Sequence, residues 1–385
     1  MKMWIKRLHL TNFRNYNAAE IDLHPKLDIF VGHNAQGKTN LLEAMYILAM
    51  SKSYRTGREE ELIFHSEASA LIRGRVERNA DVDLTVAVSR SSPKKLLVND
   101  KATNSSKFVG RLNVVLFTPD SLQLIKGSPG DRRRVLDVQI CQTDAVYRSN
   151  LLKYQRVVRQ RNQLLKNAAA SRAALKQLPI WNEQLADLAS RIMASRENVV
   201  KRLSSLAAEI HNRLTGERES LHIAYLPFSK AHSARSSHES SLDYHRLMLA
   251  ELQNQHLLEI QRGYTLVGPH RDDLLFTIDG RDAKTYASQG QQRTAVLSYK
   301  LAEMELMRLE TGEYPVVLLD DVMSELDRQR RAFLVEILNK KAQTIITTTH
   351  LGSFSDEILA DAAIFGIEAG RIAERGNGDV SALRQ

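Results

Sequence analysis

The sequence contains a single cysteine, Cys141, among 385 residues. One thiol cannot form an intrachain disulfide or a zinc site built on several cysteines, and such scarcity is typical of proteins in a reducing compartment. No apolar run approaches the roughly 20 residues that a bilayer requires. Charge at Lys2, Lys6 and Arg7 interrupts the N-terminus too early for a secretory signal. We therefore expect a cytoplasmic protein that does not act at a membrane.

Aromatic residues are also sparse, at 6% of the chain, whereas hydrophobic and charged residues make up 43% and 26%. The last two shares are ordinary for a globular protein, and the length allows one large domain or two. The formal net charge of +9 favours a polyanionic partner such as nucleic acid, although many soluble proteins are moderately basic. No basic segment rich in aromatic residues stands out for stacking single strands, so if DNA is the partner, a duplex or a duplex–gap junction is favoured.

A phosphate-binding loop with the pattern G-x-x-x-x-G-K-T follows an apolar segment and precedes a helix-like apolar pattern. This strand–loop–helix context is the one in which the motif binds phosphate. Its glycines allow the backbone to wrap a phosphate chain. Lys38 would reach the β- and γ-phosphates, and the hydroxyl of Thr39 would bind Mg2+. The alternative is a chance match on a glycine-containing turn. The predicted ATP-binding residues are Gly32, His33, Asn34, Ala35, Gln36, Gly37, Lys38 and Thr39.

A second apolar run, 315–319, ends in two acidic residues. A carboxylate at the end of a buried strand beside a phosphate loop can hold Mg2+, usually through water. We assign that role to Asp320, and we expect Asp321 to orient or activate the attacking water. The alternative is a strand capped by two solvated acids. Together with Lys38, these two residues are the predicted catalytic group.

A third motif, S-Q-G-Q-Q-R, precedes a predicted helix over Thr294–Leu309. A serine N-cap, a glycine that permits close backbone approach and the helix dipole make a second phosphate receptor. The alternative is an ordinary capped helix start. Because one phosphate chain does not need two receptors from one copy, the second would act on the nucleotide held by another copy. Its residues are Ser288, Gln289, Gly290, Gln291, Gln292 and Arg293.

The spacing of apolar residues predicts the rest of the fold. Short alternating runs over Ala70–Val98 predict an antiparallel β-layer. Apolar residues at three- and four-residue spacing predict helices over Tyr147–Ala170 and Trp181–Leu214, broken at Leu178-Pro179, and a further helix over Tyr244–Gln261. We therefore predict an α/β fold with a mostly α-helical second lobe, divided as 1–142, 143–262 and 263–385.

Two basic segments are candidates for contacting nucleic acid. Three consecutive arginines cannot all face one side of a helix, so at least one should pair internally while another meets solvent or a ligand. The first long helix also carries a run of basic residues, for which a solvated helix face is the alternative interpretation. The candidates are Arg132, Arg133 and Arg134 in the first segment, and Lys153, Arg156, Arg159, Arg161, Lys166, Arg172 and Lys176 in the second.

These motifs, in this order, resemble those of the ABC-type ATPases of the SMC-like group and, within that group, the RecF family. The resemblance covers nearly the whole chain. The matching segments are the phosphate loop, S-Q-G-Q-Q, Ser324-Glu325-Leu326-Asp327, Thr347-Thr348-Thr349-His350, Leu10-Thr11-Asn12-Phe13-Arg14-Asn15-Tyr16, Gly127-Ser128-Pro129 with Arg132-Arg133, Gly268-Pro269-His270-Arg271-Asp272-Asp273 and Leu319-Asp320-Asp321-Val322.

The resemblance implies an ABC-type ATPase head, with a mixed β-sheet carrying the phosphate loop, an antiparallel β-layer and a helical second lobe without a long coiled coil. ATP would bind at the loop of one subunit and be covered by Ser288 and Gly290 of the other, with Ser324 and Asp327 in the D-loop at that interface. The homodimer would clamp double-stranded or gapped DNA, and slow hydrolysis would release it. The family acts with RecO and RecR to place RecA on gapped DNA coated by single-strand-binding protein.

Further roles are implied at single positions. Arg14 either contacts a phosphate or is a solvated turn residue, and His350 matches the switch histidine of transporter ATPases. Asp321 stands where transporter ATPases carry glutamate, and its shorter side chain suits a slow timer better than a fast motor. Two other functions stay open: a transporter-type ATPase coupled to a membrane partner, which the basic charge and the helical insert disfavour, and an interaction scaffold without turnover, which the intact motifs disfavour.

Overall fold

The computed structural model describes residues 3–78, 80–168, 172–229, 241–339, 341–352 and 354–374. The chain forms two compact units. The first unit comprises the chain up to Ser121 together with the chain from Lys300 onward, and the second unit comprises Leu122–Tyr299. These boundaries differ from the predicted division into 1–142, 143–262 and 263–385. That division into domains stays a prediction.

The strands of the described residues, in chain order, are β1 (Trp4–Phe13), β2 (Tyr16–Asp22), β3 (Leu27–Val31), β4 (Ser69–Glu77), β5 (Val82–Ser89), β6 (Lys95–Val98), β7 (Lys101–Thr103), β8 (Val114–Phe117), β9 (Leu221–Leu226), β10 (Asp273–Ile278), β11 (Arg281–Asp282), β12 (Val316–Asp320), β13 (Thr344–Thr348), β14 (Ala363–Glu368) and β15 (Arg371–Glu374).

The α-helices of the same residues are α1 (Lys38–Met50), α2 (Ser105–Phe108), α3 (Gln123–Lys126), α4 (Pro129–Thr143), α5 (Ala145–Ala168), α6 (Arg172–Thr215), α7 (Ser241–Asn254), α8 (His256–Arg262), α9 (Ala283–Tyr286), α10 (Gln289–Thr311), α11 (Arg328–Asn339) and α12 (Asp356–Ala360). None of these helices is both long enough and apolar enough to cross a membrane.

The first unit contains two six-stranded sheets. One has the strand order β2-β1-β4-β5-β6-β7 and is antiparallel throughout, which confirms the predicted β-layer. The other has the order β15-β14-β3-β13-β12-β8 and is parallel except for β15. Its strands β3, β12 and β13 are buried along their whole length. β3 and β12 are mostly apolar, as expected for a parallel sheet covered on both faces, whereas β13 combines two isoleucines with three buried threonines.

Helix α1 packs against strands of both sheets in the first unit. Its apolar residues lie on every side of the helix rather than in one stripe, which is the pattern of a fully buried helix. Leu41, Leu42, Met45 and Leu48 are completely buried in the hydrophobic core that the two sheets share. The helix that begins at the phosphate loop is thus held in place along most of its length.

The second unit is mainly helical, and its longest helix corrects one prediction. The break at Leu178-Pro179 is wrong, because Pro179 lies inside α6, which runs from Arg172 to Thr215. Proline removes one backbone hydrogen bond and favours a kink. Leu178 and Leu185 remain buried on either side of it, so the packing of the apolar face carries the helix through the proline.

A second correction concerns the predicted helix over Tyr244–Gln261. The structure contains two helices here, α7 and α8, which are interrupted at Gln255. Tyr244, Met248 and Leu252 are buried on α7, whereas Leu257 on α8 is 81% exposed. The apolar spacing is continuous through the interruption, so sequence periodicity does not reveal that α7 ends and α8 begins here.

Buried ion pairs hold the second unit together around segment 268–273. Arg196 of α6 is 2% exposed, and its guanidinium donates to Asp137 Oδ1 at 2.8 Å and to Asp272 Oδ2 at 3.1 Å. Burial raises the pKa of Asp272 to about 6, while the charge of Arg196 opposes that shift. Two of the acids in this segment therefore form structural ion pairs, since Asp273 is likewise paired with Arg132.

Candidate nucleotide-binding site

The phosphate loop lies at the carboxyl end of β3, and other parts of the first unit enclose it. Gly37 has φ +121°, and a Cβ there would lie 2.7 Å from Asn15 Nδ2. A Cβ on Gly32 would lie 2.3 Å from the carbonyl oxygen of Ile367. Tyr16 donates its hydroxyl to the carbonyl of Gly37 at 3.0 Å. Both glycines are therefore required by close approach of neighbouring atoms and not only by the loop itself.

A hairpin turn near the C-terminal end of the first unit packs on the same loop. The backbone N–H of Ala369 donates to Gln36 Oε1 at 2.6 Å, and the N–H of Gly370 donates to the carbonyl of Gln36 at 3.1 Å. Asn15 Nδ2 donates to that carbonyl at 2.9 Å. Among the predicted ATP-binding residues, Gln36 thus uses its side chain to fasten the loop to the β14–β15 turn.

Lys38 points its ammonium group into the loop. Nζ donates to the carbonyl oxygens of Gly32 at 2.5 Å and His33 at 2.8 Å. Burial lowers the pKa of Lys38, and the charges of Asp321 and Asp320 oppose that shift. His33, Asn34 and Ala35 are exposed in the middle of the loop. The lysine therefore sits where a phosphate would replace the carbonyls as its partner.

Thr39 and Asp320 are brought together from opposite ends of the first unit. Thr39 Oγ1 donates to Asp320 Oδ1 at 2.9 Å across 281 residues of sequence. Thr347 Oγ1 of β13 also donates to this oxygen at 2.9 Å. The contact follows from the sheet order, because β13 lies between β3 and β12 and the carboxyl ends of parallel strands share one edge.

Asp321 follows directly and adopts a left-handed backbone conformation with φ 51°. Its N–H donates to the carbonyl oxygen of Thr347 at 3.2 Å and to its hydroxyl at 3.1 Å. Left-handed conformations are uncommon in residues other than glycine and often occur at functional sites. The turn directs the chain away from the sheet immediately after Asp320.

Four residues that the sequence analysis did not assign complete this edge of the site. Tyr54 donates its hydroxyl to Asp320 Oδ2 at 3.3 Å, and burial raises the pKa of Tyr54 well above its usual value. Glu43 is fully buried and accepts from Arg14 at 2.7 Å and from Arg55 at 3.2 Å, and Ser53 Oγ donates to it at 2.5 Å. Glu43 lies one turn after Thr39, but nothing in the sequence marks its partners Ser53 and Arg55.

Arg14 is therefore not a plain solvated turn residue, because its guanidinium is bound by other residues of the first unit. Its Nε and Nη2 bind the carboxylate of Glu43, and Nη1 donates to the carbonyl of Glu61 at 2.7 Å. It also lines an open cavity of about 1120 Å3 beside the loop, whose polar lining includes Asn15, Asn40 and Arg55. Its role towards a nucleotide stays a prediction.

The S-Q-G-Q-Q-R motif forms the first turn of α10 in the second unit, so the helix begins at Gln289 rather than at Thr294. Ser288 Oγ accepts from the N–H of Gln291 at 3.2 Å, and Gln291 Oε1 accepts from the N–H of Ser288 at 2.8 Å. This reciprocal pair is a capping box and confirms Ser288 as the N-cap. Ser288 and Gln289 are exposed, and Gly290 and Arg293 are half-buried.

Two glutamine side chains fix this helix start within the second unit. Gln291 Nε2 donates to Glu219 Oε1 at 3.1 Å, and the other carboxylate oxygen of Glu219 lies 3.3 Å from Nε2 of the fully buried His211. Gln292 Nε2 donates to the carbonyl of Ala283 at 2.9 Å. The motif is thereby connected to the end of the long helix α6, a connection that the sequence does not indicate.

The remaining predicted site residues lie in the first unit. Ser324 is exposed, and its hydroxyl donates to the carbonyl of Asp321 at 2.8 Å. Asp327 accepts from the N–H of Arg330 at 2.9 Å and thus caps the start of α11. His350 is exposed, and its Nδ1 lies 3.1 Å from the hydroxyl of Thr349. The D-loop and switch roles stay predictions.

The three consecutive arginines have different surroundings in the second unit. Arg132 is buried, and its Nε donates to Asp273 Oδ1 at 2.6 Å. Arg133 donates to the backbone carbonyl of Asp272 at 2.5 Å, and burial lowers its pKa. Arg134 is exposed. The expectation that one arginine pairs internally is confirmed by Arg132, whose guanidinium is unavailable at the surface.

Comparison with known proteins identifies the chain. The family model described as RecF/RecN/SMC N terminal domain matches residues 4–368. The DNA replication and repair protein RecF of Staphylococcus epidermidis is 41% identical over 372 residues, covering 96% of this chain and all of the relative. RecF of Staphylococcus aureus is 40% identical over the same extent. The chain belongs to the RecF family of DNA replication and repair proteins.

Solved structures agree with this assignment. A structure described as the recombination mediator protein RecF-ATPrS in the RecFOR pathway superposes with a TM-score of 0.89 at 31% identity, covering 97% of this chain and 99% of that one. The Smc head domain of Pyrococcus furiosus superposes with a TM-score of 0.55 at 17% identity, which shows a shared fold alone. The predicted α/β fold of an ABC-type head is thereby confirmed.

Proposed function

We propose that this RecF family member binds ATP at the loop Gly32–Thr39 and hydrolyses it slowly. The observation that carries the proposal is the 2.9 Å contact between Thr39 and Asp320, which joins the phosphate loop to the acidic end of β12. A solved relative described as RecF-ATP supports the choice of nucleotide, at 32% identity over 97% of this chain. In this site Lys38 would hold the terminal phosphates, and Asp321 would orient the attacking water.

The residues present also fit a Mg2+ ion. No cluster of three or more histidine, cysteine, aspartate or glutamate side chains suited to a metal occurs among the described residues. Mg2+ does not need one, since it is usually held by one or two carboxylates together with substrate phosphates and water. Thr39 and Asp320 supply a hydroxyl and a carboxylate at one point. The ion would neutralise phosphate charge there.

We further propose that Ser288 and Gly290 act on the nucleotide held by a second copy of the chain. The hydroxyl and exposed N–H groups at the start of α10 form a phosphate receptor, and the Ser324–Asp327 segment would lie at the same dimer interface. ATP binding would then assemble a homodimer, which clamps double-stranded or gapped DNA and releases it on hydrolysis. The protein would act in the cytoplasm. There it would work with RecO and RecR to place RecA on gapped DNA.

The test is ATP hydrolysis with and without duplex DNA. We expect slow turnover that duplex DNA stimulates, because the closed dimer is the hydrolysing form and DNA favours closure. A transporter-type ATPase coupled to another partner would show turnover indifferent to DNA. Turnover that duplex DNA leaves unchanged across a salt range would therefore overturn the DNA part of the proposal and leave nucleotide binding standing.

A further inference from the structure

Helix α5 carries six basic residues and no acidic residue, and the structure divides these six into two groups. Arg161 is fully buried, and its guanidinium donates to the equally buried Glu259 at 2.5 Å. Arg148 is also buried, and it donates to the carbonyl of Cys141. These two arginines hold the second unit together, and their charges do not face a partner outside it.

The other four basic residues of α5 lie on its solvent-exposed side. They alternate with the buried residues Tyr154, Val157 and Leu165, which face the unit. The four span thirteen steps of the helix, or about 20 Å at 1.5 Å per residue. We call this set the α5 basic face, and its members are Lys153, Arg156, Arg159 and Lys166.

Nearby acids do not neutralise the α5 basic face. None of its four members makes an ion pair within the described part of the chain. Three acids on helices that pack against α5 have other partners: Glu183 pairs with His245, Asp187 with Arg191, and Glu259 with Arg161. The exposed side of α6, in contrast, mixes acidic and basic residues. Positive charge is therefore concentrated on one helix.

We propose that the α5 basic face binds phosphate groups of duplex DNA. The proposal rests on the DNA-binding function proposed above and assigns that function to a surface. Tyr147 and Tyr154, the aromatic residues of α5, are both buried, so the face offers no aromatic ring on which unpaired bases could stack. Exposed Gln155, Gln160 and Gln163 lie among the cations and add neutral donors for phosphate oxygens. Contacts of this kind give affinity without base preference.

The experiment measures duplex binding by the full-length protein with ATP at several salt concentrations. Each phosphate contact contributes about 0.9 to the slope of log K against log salt. Changing all four residues of the face to glutamine should reduce that slope by up to about 3.6 per protomer. Lys153→Gln with Arg156→Gln should give about half of the loss, up to about 1.8.

The matched control for the Lys153→Gln, Arg156→Gln pair is Arg191→Gln with Lys201→Gln. These are two exposed cations of α6, and their removal lowers the net charge by the same two units. This control should leave the slope close to that of the wild type. A second variant, Arg156→Lys with Arg159→Lys, keeps the charge and should keep the slope, because a point charge suffices for a phosphate contact. ATP binding and ATP-dependent dimerisation without DNA should be unchanged in every variant.

Each outcome decides between the two proposals. If the wild type binds duplex DNA and the fourfold variant binds it with the same slope, the assignment to α5 is wrong. If the wild type itself does not bind duplex DNA, the proposed function fails first. If the α6 control loses as much slope as the matched α5 pair, the effect is net charge, which also overturns the assignment.

Discussion

The two proposed phosphate receptors of this chain are built by different means. At the loop of the first unit, neighbouring atoms crowd Gly32 and Gly37 so closely that no side chain fits. At the start of α10 in the second unit, side-chain hydrogen bonds involving Ser288, Gln291 and Glu219 hold the backbone. The loop is thus fixed by close packing in addition to hydrogen bonds, whereas the helix start depends on side-chain hydrogen bonds. Damage to each should therefore appear in a different measurement.

The largest expected effect is on hydrolysis at the loop side. Asp321→Asn removes the carboxylate that would activate water, and loss of a general base lowers rates by about 10²- to 10⁴-fold. ATP should still bind, and the ATP-bound dimer should accumulate. Single-turnover hydrolysis and sedimentation measure the two effects. Unchanged hydrolysis in this variant would remove Asp321 from the role.

Lys38→Ala should break the loop receptor while the second receptor stays intact. The loss of an ammonium–phosphate contact costs about 1.5–3 kcal/mol, so ATP affinity should fall about 10- to 100-fold. Equilibrium binding of a fluorescent ATP analogue measures it. Lys52→Ala, which removes an exposed lysine of the same unit, should bind normally. Equal affinity of the two variants would contradict the loop assignment.

Ser288→Arg should disrupt the proposed receptor at the start of α10. It should therefore weaken dimerisation rather than ATP binding. A bulky cation at the exposed helix start should weaken ATP-dependent dimerisation by about tenfold or more, a cost of about 1.4 kcal/mol. ATP binding to the monomer should be unaffected, because the loop belongs to the other unit. Analytical ultracentrifugation with ATP measures dimerisation. A monomer that also loses ATP would show that Ser288 serves its own copy's nucleotide.

Glu219 contacts Gln291 at the start of α10 and would not itself contact phosphate. Glu219→Ala removes the acceptor of Gln291, a loss of about 1 kcal/mol, so the dimerisation constant should fall about fivefold. Glu219→Gln keeps an acceptor and should lie closer to the wild type. Normal dimerisation of the alanine variant, or equal defects in both variants, would show that the Gln291 contact does not position the motif.

A final prediction concerns the pH dependence of stability at the strand that feeds the loop. Burial raises the pKa of Asp28 in β3 to about 8 from 3.8, so the folded state binds a proton that the unfolded state releases. The resulting stability is complete below pH 3.8 and is lost as the pH rises through 8, by at most about 1.4 kcal/mol per pH unit. Asp28→Asn should therefore flatten the fall of the unfolding temperature between pH 5 and pH 9. A slope like that of the wild type would contradict this.

The sequence predicts the phosphate loop and the strands β3 and β12 better than the side-chain contacts around them. Glycine spacing and apolar runs reveal β3, the loop and β12, because these features are local. The contacts of Glu43 with Arg14 and Arg55, and of Tyr54 with Asp320, depend on how distant segments fold together. The ion pair of Arg132 with Asp273 joins residues 141 positions apart, so a run of arginines that resembles a DNA-binding segment proves partly structural.

The helical unit shows the same limit at the level of secondary structure. Pro179 is a reliable helix breaker in isolation, but buried apolar residues on both sides keep α6 continuous. Gln255 is the opposite case. The apolar spacing continues through this position, but the helix is interrupted there. For the α5 basic face, sequence gives the charges, and only the packing separates Arg148 and Arg161 from the four exposed residues.

In the proposed mechanism, the two receptors meet only when two copies of the chain share ATP. Sedimentation velocity of the full-length protein with ATP, with ADP and without nucleotide tests it most directly, in parallel with and without duplex DNA. We predict a monomer without nucleotide or with ADP and a dimer with ATP, and we expect Asp321→Asn to make that dimer persist. A monomer under every condition, in the wild type and in this variant, would contradict the shared site.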